Sequence, residues 1–184
     1  MKGSIAKAEE LVKEKGYYMP MQFDNPENPN IHELTTGPEI ISAMNGIGKS
    51  VDAFVAGVGT GGTLSGIGRA LKKENPNTKV YALEPSESPL LKDGKTGKHG
   101  IAAGFIPKNL DKDVYDGIVE VSTDEAMKIA CEVAKNEGFL PGIFAGANIH
   151  GAIELAKKLG KGHAAVTVSP DGGDRYLSTA LFNE

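Results

Sequence analysis

Five glycines and two threonines crowd one short stretch, Val51-Asp52-Ala53-Phe54-Val55-Ala56-Gly57-Val58-Gly59-Thr60-Gly61-Gly62-Thr63-Leu64-Ser65-Gly66. Residues of these types can bind an anion. Glycines at 59, 61 and 62 let the backbone turn where a Cβ would clash, so peptide N–H groups can converge, and Thr60 and Thr63 add hydroxyl donors. The apolar run before them reads as a buried strand, and Leu64, Ile67 and Leu71 after them have helical spacing. A tight loop between strand and helix N-terminus favours phosphate through aligned N–H groups and the helix dipole. The stretch therefore reads as a phosphate cradle, rather than a bare turn, made by Gly59, Thr60, Gly61, Gly62 and Thr63.

The same run also fits the dinucleotide pattern G-x-G-x-x-G, with Glu84 closing the next apolar run where a ribose ligand can sit. That match is weak on its own. Gly48-Lys49-Ser50 has the ending of a nucleotide-triphosphate loop, but Ala43 replaces its leading glycine and the triplet precedes the strand. Nothing supports an NTPase.

Composition bounds the remaining classes. With 184 residues, 40% of them hydrophobic, the chain can bury a core as one domain, or as one domain plus a piece of another. A net charge of −4 with dispersed Lys and Arg argues against nucleic acid, and no apolar run is long enough to span a membrane. The N-terminus does not read as a secretory signal, and a single cysteine, Cys131, cannot form an internal disulfide, so a cytoplasmic setting is expected. Cys131 lies among Ala126, Ile129, Ala130 and Val133 at helical spacing and reads as packing. His32, His99, His150 and His163 are scattered without metal-ligand spacing.

The elements that must position the cradle follow in order. Residues 4–13 predict an amphipathic helix with Ile5, Ala8, Leu11 and Val12 on one face. Residues 22–30, rich in Pro and Asn, predict irregular structure, and Thr35-Thr36-Gly37-Pro38 predicts a helix start fading near Asn45-Gly46. Strands are expected at 79–83, 117–121 and 164–168. Ser122 and Glu125 have capping-box spacing for a helix to Asn136, and Asn148 is expected to start another helix. Residues 100–107 form a small-residue loop that either connects flexibly or, from Gly100, admits a ligand closely. Alternation of this kind predicts an α/β domain on a parallel sheet with right-handed crossovers. Residues 57–63, 142–148 and 169–174 are then strand exits able to share one pocket.

Six pieces of the chain together carry a family likeness. They are residues 1–10, MKGSIAKAEE; Gln22-Phe23 with Asn25-Pro26 and Asn28-Pro29; Thr35-Thr36-Gly37-Pro38-Glu39-Ile40; residues 57–63; Ala103-Gly104-Phe105-Ile106-Pro107; and Asp174-Arg175-Tyr176-Leu177-Ser178-Thr179. In this order the chain resembles, nearly end to end, the C-terminal portion of the cysteine synthases (O-acetylserine sulfhydrylases), pyridoxal-phosphate enzymes with the tryptophan synthase β fold. The resemblance implies a three-layer, mostly parallel sheet with helices on both faces. Residues 1–30 would be a remnant of the small N-terminal domain and a crossover, and 31–184 the phosphate-binding α/β domain.

By position, the resemblance implies that residues 59–63 hold the phosphate of pyridoxal 5'-phosphate. Gln22 would help hold the substrate carboxylate, with Gly100 beside the substrate; the bland reading of Gln22, the lesser of the two, is a solvated loop residue. It also implies O-acetylserine and sulfide as substrates, cysteine and acetate as products, and a homodimer. A serine that faces the pyridine nitrogen in the family is replaced here by Asn148, whose amide can still hydrogen-bond that nitrogen; the bland reading of Asn148 is an N-cap. Further departures are Ala102, where glycine is usual, and a small insertion around 45–50. The family's cofactor-binding lysine and its Ser/Thr-Asn loop have no counterpart here and are expected in a segment before Met1. Lys2, Lys49 and Lys108 match no catalytic position, so no catalytic residue is assigned and the chain alone is expected to be inactive or nearly so. A cystathionine β-synthase or serine dehydratase relative, and a non-catalytic assembly module, are the alternatives.

Overall fold

The computed structural model describes residues 2–94 and 104–181. Gly100, Ala102, Ala103 and His99 lie outside the described residues. The order is α1 (Lys2–Lys15), α2 (Glu27–Ile31), a π turn (His32–Thr36), α3 (Gly37–Gly46), β1 (Ala53–Gly57), α4 (Gly62–Glu74), β2 (Lys79–Pro85) and α5 (Leu90–Asp93). β3 (Gly117–Val121), α6 (Thr123–Glu137), α7 (Ile143–Leu159), β4 (Ala165–Thr167) and a 3-10 turn (Gly173–Tyr176) complete it.

All pairings in the four-stranded sheet are parallel, in the order β3-β2-β1-β4. β1 is central, pairing Ala53 with Lys79 on one side and with Ala165 on the other. Because side chains alternate along a strand, its apolar run serves both faces at once. Phe54 and Ala56 pack with Leu64, Ile67 and Leu71 of α4, while Ala53 and Val55 pack with Ala126 of α6 and with Ala147 and Leu155 of α7. The result is the expected three layers, with the end of β1 held between two helical layers.

Four local expectations change. Residues 27–30 are helical, because Pro29 falls in the first turn of α2, where an N–H has no helical acceptor to lose. α2 then runs through the π turn into α3, so the helix expected from Thr35 has no start of its own. Asn148 does not begin a helix: α7 starts at Ile143, with Gly142 at its N-cap position and Asn148 buried inside it. Residues 143–148 are therefore the first turns of a helix rather than a strand exit. The capping box forms as expected, with the Glu125 N–H donating to Ser122 Oγ and the Ser122 N–H donating to Glu125 Oε2.

Candidate functional site

β1 ends at Gly57, and the loop reaches α4 through Gly61, which adopts φ +82°. A Cβ on Gly61 would also sit 2.8 Å from the Leu110 backbone, so both conformation and space require glycine there. A Cβ on Gly62 would overlap the Asn28 amide, while Gly59 faces open space. The loop is thus pressed close to its neighbours on one side and open on the other.

Helix N-termini at this end of the sheet are satisfied in different ways. Glu84 accepts the N–H groups of Leu91 (2.6 Å) and Lys92 (2.9 Å) at the start of α5. That use of both carboxylate oxygens occupies the residue considered for a ribose. Asp171, in the segment after β4, accepts from Phe144 N (3.2 Å) and Ala145 N (2.7 Å) at the start of α7, and from Tyr176 Oη (2.6 Å). Burial and the Asp171 carboxylate push the Tyr176 hydroxyl up to about 12. The first turn of α4 has neither an acidic residue nor a side-chain cap on its N-cap residue, and Lys72 and Lys73 sit in the last turn. An α-helix leaves its first N–H groups without intrahelical acceptors. At α4 these combine with the Thr60 and Thr63 hydroxyls into a donor set with no competing carboxylate, which fits a phosphate dianion.

The hydroxyls are held from behind. Asn28 Nδ2 donates to Thr60 Oγ1 (2.9 Å) and to the Gln22 carbonyl (2.8 Å), and the Gly62 N–H makes a long bond, 3.4 Å, to the same Thr60 oxygen. Thr63 Oγ1 lies 3.3 Å from His32 Nε2, and His32 Nδ1 lies 3.0 Å from Thr36 Oγ1. Burial lowers the His32 pKa, favouring the neutral ring. Neither Asn28 nor His32 stands out in the sequence as a site residue. The four-residue spacing of His32 and Thr36 was the only local signal, since Thr63 is 31 positions away.

Asn148 stands directly behind the loop. Its Oδ1 accepts the Gly57 N–H at 2.8 Å and its Nδ2 donates to the Val168 carbonyl at 2.9 Å. One neighbour is a donor and the other an acceptor, which fixes the orientation of the amide. One Nδ2 proton is left over for a further acceptor. Gly57, Gly59, Phe144, Asn148 and Pro170 share a cleft of about 50 Å³, so the three expected segments do converge.

Gln22 is exposed and lies elsewhere, on a larger apolar cavity of about 530 Å³ with Ile5 and Ala8 of α1 and with Phe105 and Ile106. Phe23 and Phe105 meet edge to face, 4.9 Å between centroids, and Lys108 pairs with Asp24 at 2.7 Å. The carbonyl of Gln22 accepts from both Asn28 and Asn109 Nδ2 (each 2.8 Å), so its main chain is fixed where the residue lines the cavity. The larger cavity is not lined by residues 59–63; donor chemistry, not size, singles out that loop as the candidate anion site. Among the described residues no cluster of His, Cys, Asp or Glu could hold a metal, and no helix is long and apolar enough to cross a membrane.

Residues 1–171 match the family described as pyridoxal-phosphate dependent enzyme. The whole chain is 55% identical to a cysteine synthase of Staphylococcus aureus, spanning 59% of that protein. Its fold superposes on a hydrogen sulfide-producing enzyme of Fusobacterium nucleatum with a TM-score of 0.93 at 43% identity, covering 99% of this chain and 56% of that one. An O-acetylserine sulfhydrylase of Entamoeba histolytica superposes with a TM-score of 0.92 at 40% identity, covering 100% and 55%. The chain thus spans a little over half the length of the relatives it matches.

Proposed function

Since the chain belongs to the pyridoxal-phosphate dependent enzyme family, we propose that it forms the cofactor-phosphate portion of an enzyme that makes cysteine and acetate from O-acetylserine and sulfide. The observation that carries this reading is the carboxylate-free donor set at the start of α4, set in the loop after the central strand. Gly59, Thr60, Gly61, Gly62 and Thr63 hold the phosphate through N–H and hydroxyl donors. Asn148 keeps the ends of β1 and β4 together behind it and offers its remaining amide proton to the pyridine side. Gln22, with Gly100 on the substrate side, donates to the substrate carboxylate without adding charge. Bound pyridoxal phosphate supplies an electron sink for negative charge on the amino-acid α-carbon. Among the described residues no lysine lines the cleft of Gly57, Gly59 and Asn148, and none is assigned the proton transfer. The 184 residues alone therefore bind without turning substrate over, residues 1–30 serving as the connection to a small domain and two copies pairing as a homodimer.

The test has two arms. The chain is titrated with pyridoxal 5'-phosphate and with pyridoxal, which lacks the phosphate; tighter binding of the phosphorylated form is expected, and equal binding rejects the cradle. The chain is then fused behind the N-terminal portion of the staphylococcal relative and assayed with O-acetylserine plus sulfide. Cysteine formation is expected there and not from the chain alone. A folded fusion that binds the cofactor but forms no cysteine rejects the assigned reaction, and one preferring homocysteine to sulfide moves it to cystathionine synthesis.

A further inference from the structure

The two halves of the proposed site open on different cavities, yet one side chain touches both. Asn28 Nδ2 carries two protons, and both are used: one reaches the Thr60 hydroxyl oxygen at 2.9 Å and the other the Gln22 carbonyl at 2.8 Å. Both partners present oxygen lone pairs, so the nitrogen rather than the oxygen of the amide must face them. The opposite face of the amide lies against Gly62, where any Cβ would collide with it. Asn28 is therefore packed against the first residue of α4, half-buried, with little freedom to turn away.

The hydroxyl it touches is constrained in turn. A threonine hydroxyl has one proton and two acceptor directions. At Thr60 both acceptor directions are used, by Asn28 Nδ2 and by the longer bond from the Gly62 N–H at 3.4 Å. The Thr60 proton is thereby directed away from both, free for an acceptor in the loop. When a hydroxyl donates to an anion, its oxygen becomes a stronger acceptor and the bonds made to it tighten. Here tightening would draw on Asn28, and through its second proton on the Gln22 carbonyl. That carbonyl is also held by Asn109, whose own N–H donates to Phe23 O at 3.2 Å, so the peptide joining Gln22 to Phe23 is a defined reporter.

We propose that Asn28 is a positioning residue coupling the two halves: it presets the Thr60 hydroxyl as a donor to phosphate and transmits occupancy of the cradle to the Gln22 segment. The proposal rests on the reading of residues 59–63 as a phosphate cradle and of Gln22 as a substrate-side residue.

The experiment titrates the isotope-labelled chain with inorganic phosphate and follows backbone amides by two-dimensional NMR. Amides of 61–64 report the cradle and the Phe23 amide reports the Gln22 carbonyl. In the wild type both groups are expected to shift with a common midpoint. Asn28→Ala is expected to raise the cradle midpoint about five- to tenfold, the loss of one hydrogen bond to a charge-bearing site, and to abolish the Phe23 response. In a Thr60→Val background, Asn28→Ala is expected to change the midpoint less than about twofold, because the two act as one unit. Thr60→Ser, which keeps the hydroxyl, is expected to restore both responses. Cradle shifts without a Phe23 response, a Phe23 response that survives Asn28→Ala, or additive effects of the two substitutions would overturn the coupling and leave the cradle standing. Silent cradle amides would reject the cradle and the coupling together. Thr60→Val deletes the same bond and carries the same Phe23 prediction if Asn28→Ala does not fold.

Discussion

Asn148 and Gly57, 91 positions apart, are joined by a bond of 2.8 Å from the Gly57 N–H to the side-chain oxygen of Asn148. The same amide holds Val168 at the end of β4, so one buried side chain, 3% exposed, staples two neighbouring strand ends where the sheet meets the loop. β4 itself is only three residues long and pairs with β1 through three residue pairs. A side-chain staple matters most where the backbone ladder is that short.

Asn148→Leu should consequently destabilise the chain by about 2–4 kcal/mol, since it strands one part-buried donor and one part-buried acceptor at about 1–2 kcal/mol each, the lower part of the range for unsatisfied groups. Urea denaturation monitored by circular dichroism measures it. Asn148→Asp keeps an acceptor for Gly57 but turns a carboxylate oxygen toward the Val168 carbonyl, so its loss should shrink at acid pH, where a protonated carboxyl can donate. A loss below about 0.5 kcal/mol for the leucine variant would show that the staple is dispensable.

His32 gives the fold a dependence on mildly acid pH. Burial lowers its pKa below the ordinary 6.5, so the folded chain favours the neutral ring while the unfolded chain takes up a proton first. The stabilising contribution is therefore complete above about 6.5 and is lost as pH falls through the depressed folded value. Unfolding midpoints should drop over that window in the wild type, and His32→Gln should flatten the drop. NMR of the ring nitrogens at pH 7 should find His32 neutral, with one nitrogen toward Thr63 and the other toward Thr36. A protonated ring at that pH would contradict the prediction.

At the other extreme, Tyr176 should titrate late. Its folded pKa is about 12, against an ordinary 10.0, because of burial and the bond to Asp171. The neutral phenol is what the folded chain stabilises, so its contribution holds below pH 10 and fades as pH rises toward 12. Ultraviolet titration of the phenolates should show this late component disappear in Tyr176→Phe. Tyr115 also titrates late, through burial and the nearby Glu84, and should remain in that variant. No change on substitution would mean that the Asp171 contact does not form in solution.

The parts legible in the sequence were those whose partners are close along the chain or repeat with a period. Phe54 and Ala56 alternating with Ala53 and Val55 announced a strand buried on both faces, and Ser122 with Glu125 three positions on announced a capping box. The glycine cluster announced the loop. What stayed hidden depends on distant partners. Asn148 looked like a helix start because the carboxylate that caps α7, Asp171, arrives from 26 and 27 positions downstream. Pro29 looked like a breaker because its place in a first turn becomes visible only once α2 is seen. Asn28 looked like loop polarity until its 32-position bond to Thr60 was seen.

Glycine 66 tests the packing beneath the cradle. A Cβ there would overlap the Pro29 carbonyl oxygen and lie 2.7 Å from His32 Cβ and 2.9 Å from Glu33 N. Two of these three atoms are backbone, so relief requires moving α2 and the π turn away from α4 rather than rotating a side chain. Gly66→Ala should cost about 1–3 kcal/mol by overpacking, even though alanine is the better helix former. Because Pro29 follows Asn28 directly, the same displacement should weaken phosphate binding at the cradle. Gly3→Ala is the matched control, an exposed glycine within α1 with nothing within 4 Å of the added carbon. That change should be neutral or stabilise by up to about 1 kcal/mol. If denaturation curves for the two alanine variants coincide, α2 and α4 are not pressed together at Gly66, and the close approach that sets Asn28 against Thr60 loses its support.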